Sequence, residues 1–181
     1  MRLPRVHGVL LKRSTTCGLR YGGSGPSLAR LLRAMVDLRT ALQEAMPGLS
    51  GRCWMVLSAL VARGGVIGSA QDFARTLGFT SRHQLARLLH REGLPQLQEL
   101  GAWVYTLARL LDWETTRQSL CKNALGAGED PASLYRRVQH ACGVRWSEAR
   151  AIGFDHMLVR FVQRRSRNAL PLGESVSKQT A

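Results

Sequence analysis

The stretches GFTSRHQLARLLHREG, residues 78–93, and GEDPASLYRRVQHACG, residues 128–143, follow one pattern and begin 50 residues apart. Each starts with a glycine, continues with residues that favour a helix start, and ends in another glycine. Identical residues keep this offset at six pairs of positions: Ser69 and Ser119, Ala74 and Ala124, Gly78 and Gly128, Arg87 and Arg137, His90 and His140, and Gly93 and Gly143. The pattern predicts one small unit, a helix, a tight turn and a second helix, built twice in the chain.

The first unit has clear helix-start signals. Ser69 is followed three residues later by Asp72, which is typical of a capped helix start. Gly78 then permits a short turn, and Thr80 or Ser81 caps the second helix. Helically spaced leucines give that second helix its inner face: Leu85, Leu88 and Leu89. These features predict a helix-turn-helix.

We expect the outward face of this second helix to bind DNA. Residues 73–91 contain four arginines and no acid. Arginine on an exposed helix can pair with guanine in the major groove while its neighbours hold phosphates. A basic face can also be simply solvated, but the turn and the charge asymmetry together favour groove binding. The predicted DNA-binding residues of the first unit are Ser81, Arg82, His83, Gln84, Arg87 and His90.

The second unit has a stronger start signal and a less basic surface. Asp130 followed by Pro131 is typical of an N-cap and a first helical residue. Because Glu129 and Asp130 lie beside its outer face, we expect this unit to bind phosphates more weakly than the first. The predicted inner stripe is Leu134, Tyr135 and Val138. The predicted DNA-binding residues are Ala132, Ser133, Arg136 and Arg137.

The segment between the units, PQLQELGAWVYTLARLLDWE at 95–114, predicts one long helix. Its apolar stripe consists of Leu97, Leu100, Val104, Leu107 and Leu111. A rigid helix fixes the distance and angle between two recognition helices, which can then enter successive major grooves about 34 Å apart. β-branched and aromatic residues are sparse and no alternating strand pattern occurs. We therefore predict an all-α fold with two helix-turn-helix units joined by a long linker helix.

The net charge of +14 is concentrated at the two ends of the chain. Residues 1–36 hold seven basic side chains and no acid, and residues 156–181 hold five basic side chains and one acid. This excess favours a polyanionic partner, although basic ends can also be solvated tails. The sequence predicts four segments: a flexible basic arm at 1–26, an amphipathic helix at 27–47, a bipartite DNA-binding domain at 50–160 and a basic tail at 161–181. The two units of the DNA-binding domain are expected at about 50–94 and 96–152.

The amphipathic helix has two possible partners. Its apolar residues can cover the buried helix expected at 51–63, or they can pair with the same helix of another copy. The stripe contains methionine and alanine, and few charged residues flank it. Both features favour packing on the helix at 51–63 over pairing with another copy. We therefore expect a monomer or a weak homodimer through residues 28–46. The stripe comprises Leu28, Leu31, Met35, Leu38, Leu42 and Ala45.

The two units and the long helix resemble the DNA-binding domain of AraC/XylS-type transcription regulators. The resemblance covers about residues 50–152, and no sensor domain is recognisable outside it. It implies homeodomain-like three-helical units, sequence-specific binding of double-stranded DNA and control of transcription, with RNA polymerase as a candidate further partner. The chain departs from the family pattern at Glu129, Trp146 and Ala149. The matching residues are Ala74, Leu77, Gly78, Phe79, Ser81, Leu85, Arg87, Gly93, Ser119, Ala124, Gly128, Arg137, Gly143, Val144, Ser147, Glu148 and Arg150.

Other function classes find little support in the sequence. The histidines form no HExxH motif, and there is no dinucleotide or P-loop glycine pattern and no GxSxG elbow. The four cysteines form no CxxC pair. We expect no catalytic residues, no metal ligands, no cofactor, no membrane partner and a cytoplasmic location. Two alternatives remain open: a nucleoid-type or RNA-binding protein that uses charge without reading sequence, and a degenerate module that binds a protein partner.

Overall fold

The computed structural model describes residues 28–126 and 130–169, so the predicted arm at 1–26 lies outside the described residues. These described ranges contain helices and no strand, which confirms the all-α prediction. In the same ranges, no helix combines the length and the apolar character needed to cross a membrane. The helices are α1 (Leu28–Ala45), α2 (Gly51–Ala62), α3 (Ala70–Thr76), α4 (Arg82–Arg91), α5 (Leu97–Thr116), α6 (Leu120–Gly126), α7 (Pro131–Cys142), α8 (Trp146–Ile152) and α9 (Phe154–Ala169).

The long helix α5 is the centre of the fold. It packs against α1, α2, α7, α8 and α9, and residues 100–107 are all buried. The sequence predicted burial along one stripe only, yet Tyr105 and Thr106, which lie off that stripe, are also buried. A helix that is buried on all sides is enclosed by other elements. α5 is therefore the main core element as well as the connection between α4 and α6.

The amphipathic helix expected at 27–47 is α1, and it packs on the rest of the protein. Leu38 and Leu42 are buried, and Met35 and Ala45 are half-buried against the same core. α1 contacts α2, α5 and α9. From Met35 to Ala45, where the side chains are described, the apolar stripe therefore covers the core of its own chain, as the composition of the stripe favoured.

Local capping signals fix the starts of three helices as the sequence predicted. Ser69, Ser81 and Asp130 occupy the N-cap positions of α3, α4 and α7. The side chain of each accepts a hydrogen bond from a backbone N–H in the first turn, and Pro131 is the first residue of α7. These caps orient the first turns of α4 and α7, which carry predicted DNA-binding residues.

The prediction that Tyr135 belongs to the inner stripe of α7 was wrong. Tyr135 is 38% exposed, whereas Leu134, Val138 and Ala141 are buried. At about 100° per helical residue, Leu134, Val138 and Ala141 fall within a narrow arc, and Tyr135 lies outside it. The tyrosine therefore faces the side of α7 rather than the core.

The boundary predicted for the basic tail, residue 161, was too early. Residues 154–169 form α9, and Phe161 is fully buried with its ring centroid 5.5 Å from that of Trp103. The first turn of α9 is held by Glu114 of α5, whose carboxylate accepts a hydrogen bond from the Phe154 N–H at 2.8 Å. Residues 161–169 therefore belong to the folded part of the chain.

Candidate nucleic-acid interface

The start of α4 is held by a small set of hydrogen bonds. The Ser81 hydroxyl accepts a bond from the Gln84 N–H at 3.3 Å. The Gln84 carbonyl oxygen Oε1 accepts bonds from the Thr80 N–H at 3.0 Å and from the Thr80 hydroxyl at 3.1 Å. Gln71 of α3 accepts a bond from the Arg82 N–H at 3.2 Å, which links the two helices. Ser81 and Gln84, predicted to meet DNA, thus also fix the orientation of α4.

The remaining predicted residues of α4 form one exposed face. Arg82, His83, Arg87 and His90 are all exposed. Among the described residues, none of the four takes part in an ion pair. They line a cavity of about 820 Å³, here called the α4 groove, together with Gln96 and Gln98 at the start of α5. The face therefore presents two unpaired guanidinium groups beside hydrogen-bonding imidazoles.

The predicted face of α7 lines a neighbouring cavity of about 550 Å³, here called the α7 groove. The loop at 65–67 also lines it, as do Gln96 and Gln98. The α4 and α7 grooves therefore share one wall, the start of α5, and lie side by side. Ala132 is exposed but does not line this groove. The α7 residues that do line it are Ser133, Arg136, Arg137 and His140.

Ser133, Arg136 and Arg137 of α7 have partners within the chain, whereas Arg82 and Arg87 of α4 form no ion pair among the described residues. Asp130 lies 3.8 Å from the Arg136 guanidinium and accepts a hydrogen bond from the Ser133 hydroxyl at 3.0 Å. That hydroxyl, with the N–H groups of the first turn, lowers the pKa of Asp130 below its ordinary value. The guanidinium carbon of Arg137 lies 5.3 Å from the ring centroid of Tyr105, which is a cation–π contact. The carboxylate of Asp130 therefore offsets part of the positive charge beside α7.

Acidic side chains near the grooves are occupied by structural contacts. Glu99, which lines the α7 groove, forms an ion pair with Arg164 of α9. Glu92, just after α4, accepts a hydrogen bond from the Ser50 N–H at 3.4 Å. Both carboxylates therefore stabilise contacts between helices, and the face of α4 keeps its positive charge.

The structure also brings together residues that the sequence did not single out as a site. A third cavity of about 370 Å³ lies on the other side of α7, between α7 and α8, and is here called the α8 groove. From the sequence, Ser147 and Arg150 were noted only as matches to a family pattern, and Tyr135 was predicted to be a core residue. The residues that line the α8 groove are Tyr135, Gln139, Arg145, Trp146, Ser147 and Arg150.

Comparison with known proteins identifies no relative. No family model matches the chain, and neither a curated protein nor a solved structure shows significant similarity to it.

Proposed function

We propose that this protein is a sequence-specific DNA-binding transcription regulator in which α4 is the main reading helix and α7 the second. In this proposal α3 with α4, and α6 with α7, act as paired helix-turn-helix units joined by α5. One observation carries the proposal: the exposed face of α4 has unpaired arginines, and its groove adjoins that of the repeat-related helix α7. An exposed basic helix that follows a short helix and turn suits the major groove of DNA.

Arg87 is the residue of α4 best placed to read a base. It lies midway along the helix, four residues after His83 and three before His90, so all three share one face. A guanidinium can donate two parallel hydrogen bonds to the O6 and N7 atoms of guanine. The flanking side chains, with Arg82 at the start of the helix, are suited to phosphate contacts that fix the register on the duplex.

The start of α5 fits the space between two recognition helices. When two helices occupy successive major grooves on one face of DNA, the protein surface between them faces the intervening minor groove and its phosphates. Gln96 and Gln98 form the wall between the α4 and α7 grooves, and their amides are hydrogen-bonding groups that can meet phosphate or base edges. We include these two residues in the proposed interface.

In this proposal the protein is cytoplasmic and non-catalytic, needs no cofactor, and is a monomer or a weak homodimer through residues 28–46, with RNA polymerase as a candidate further partner. A second candidate, a nucleic-acid-binding protein that uses charge without sequence readout, is favoured by the net charge of +14. The intramolecular partners of Arg136 and Arg137 favour a third, in which the second unit has lost DNA contact and serves a protein partner. A preferred duplex that survives competition by excess random DNA distinguishes the first candidate from both others.

The test begins with selection of duplexes by the full chain from a random pool, followed by sequencing. Arg87→Ala is then compared with Arg91→Ala, because Arg91 is exposed on the same helix but does not line the α4 groove. We expect Arg87→Ala to weaken binding of the preferred duplex by about 1–3 kcal/mol and to relax its sequence preference. Arg91→Ala should weaken all duplexes slightly and equally. Wild-type affinity and preference in Arg87→Ala would show that Arg87 does not read a base.

A further inference from the structure

We infer that the α8 groove is a phosphate-binding site, which holds the DNA strand on the side of α7 opposite the α7 groove. This inference rests on the proposed function, because it assigns a ligand to a surface beside the second reading helix. The ligand is the phosphodiester backbone of double-stranded DNA. The site includes Arg145 and Arg150, and none of its residues was predicted as DNA-binding from the sequence.

The helical positions of α7 place this helix between two grooves. Measured around the helix from the buried Leu134, Ser133 and Arg137 lie about 60–100° to one side. Tyr135 and Gln139 lie about 100–140° to the other side. The first pair lines the α7 groove and the second pair lines the α8 groove. α7 is thus a ridge with a cavity along each flank.

DNA geometry requires a contact surface on each flank of an inserted helix. The major groove is about 12 Å wide, and a sugar–phosphate backbone borders it on both sides. A helix inserted between these strands therefore has one phosphate strand along each flank. If the α7 groove accommodates one strand, the α8 groove lies where the other strand passes.

The residues of the α8 groove have the chemistry of a phosphate site. Arginine, serine, tyrosine and glutamine side chains are all donors that commonly contact phosphate oxygens. Arg145 is exposed, and among residues 28–126 and 130–169 neither Arg145 nor Arg150 takes part in an ion pair. The carboxylate of Glu148 lies nearby and accepts a hydrogen bond from the Arg145 N–H at 3.1 Å. The groove is therefore lined by two arginines, and the one carboxylate nearby is bonded to a backbone N–H at the start of α8.

Packing orients one of the two arginines before any ligand binds. The guanidinium carbon of Arg150 lies 4.5 Å from the ring centroid of Trp113 in α5. This cation–π contact restricts the rotamers of Arg150, so less side-chain entropy is lost when it binds an anion. Tyr135, which is exposed, lines the same groove. A core position would bury its ring, whereas the groove position presents a hydroxyl donor beside the arginines.

The experiment compares three variants of the full chain on the duplex that the wild-type protein selects. Arg145→Gln removes one charge from the α8 groove. Arg39→Gln is the matched control, because Arg39 is exposed on α1 and lines none of the three grooves. Tyr135→Phe removes one hydroxyl and leaves the ring. Binding is measured over a series of salt concentrations, and thermal unfolding confirms that each variant folds.

Arg145→Gln should reduce the slope of log Kobs against log salt by about 0.9, the value for one lost phosphate contact, and Arg39→Gln should leave the slope unchanged. Tyr135→Phe should lower affinity between about ten- and 150-fold, as expected for one hydrogen bond to a charged phosphate oxygen, without changing the slope. Equal slopes for Arg145→Gln and Arg39→Gln, while Arg87→Ala still weakens binding, would overturn the α8 site alone. Failure of the wild-type protein to bind any duplex would overturn the proposed function as well.

Discussion

Two adjacent glycines follow α2, and replacing each with alanine separates two contributions to stability: the cost of a strained backbone conformation and the cost of a steric overlap with α5. Gly64 and Gly65 both have positive φ, +57° and +77°. A Cβ added at Gly64 meets no heavy atom within 4 Å. A Cβ added at Gly65 would overlap the Gly101 carbonyl oxygen and lie 2.5 Å from the Tyr105 N and 2.8 Å from the Tyr105 Cβ. Gly65 thus marks the closest approach of this loop to α5.

The two substitutions to alanine should therefore differ in cost. A left-handed backbone conformation costs an alanine about 1–2 kcal/mol, and this applies to both positions. Only Gly65→Ala also pushes against backbone atoms of α5, which no side-chain rotation can relieve. Overpacking of this kind costs about a further 1–3 kcal/mol. We expect Gly64→Ala to lower the free energy of unfolding by about 1–2 kcal/mol and Gly65→Ala by about 2–5 kcal/mol.

Urea unfolding followed by far-ultraviolet circular dichroism measures both costs, and the slope m tests whether the two variants unfold from comparable native states. Gly65 also lines the α7 groove, so a shifted loop should weaken DNA binding more in Gly65→Ala than in Gly64→Ala. If Gly65→Ala loses no more stability than Gly64→Ala, the predicted overlap between the Cβ added at position 65 and the backbone of α5 does not destabilise the protein.

Three further predictions concern the arm, the oligomeric state and a half-buried thiol. Deleting residues 1–26 should weaken binding to any duplex and flatten its salt dependence while sequence preference survives, because five basic side chains are lost; an unchanged salt slope would show that the arm makes no contact. Sedimentation at low micromolar concentration should show a monomer, since Leu38 is already buried within its own chain. A stable dimer that Leu38→Asp dissociates without unfolding the chain would contradict this. Burial raises the pKa of Cys142 from 9.0 to about 11, so its contribution to stability is full below about pH 9 and declines from there to about pH 11. Burial raises the pKa of Cys53 to about 11 as well, so Cys142→Ala should show a smaller decline than the wild-type protein when the free energy of unfolding is measured against pH, and identical pH profiles would refute the assignment.

The starts of α3, α4 and α7 were predictable from the sequence because they depend on residues within one turn. Ser69, Ser81 and Asp130 cap their helices through bonds to N–H groups two or three residues ahead. The repeat offset is also visible in the backbone, where Gly93 and Gly143 follow α4 and α7 with φ of 70° and 71°. These contacts are local, so spacing and residue type carry the information.

Long-range packing determined which polar groups the interface presents, and the sequence held no local signal for it. The outward face of α4 was predictable because its leucines mark the buried side. On α7, the guanidinium of Arg137 stacks on Tyr105, which is 32 residues away in the chain (137 − 105), and this contact exists only because α7 packs on α5. The two glutamines at the start of α5 became a wall between grooves for the same reason. Side chains far apart in sequence meet only after the helices have assembled around α5, so burial and pairing at these positions follow from the packing of the whole chain.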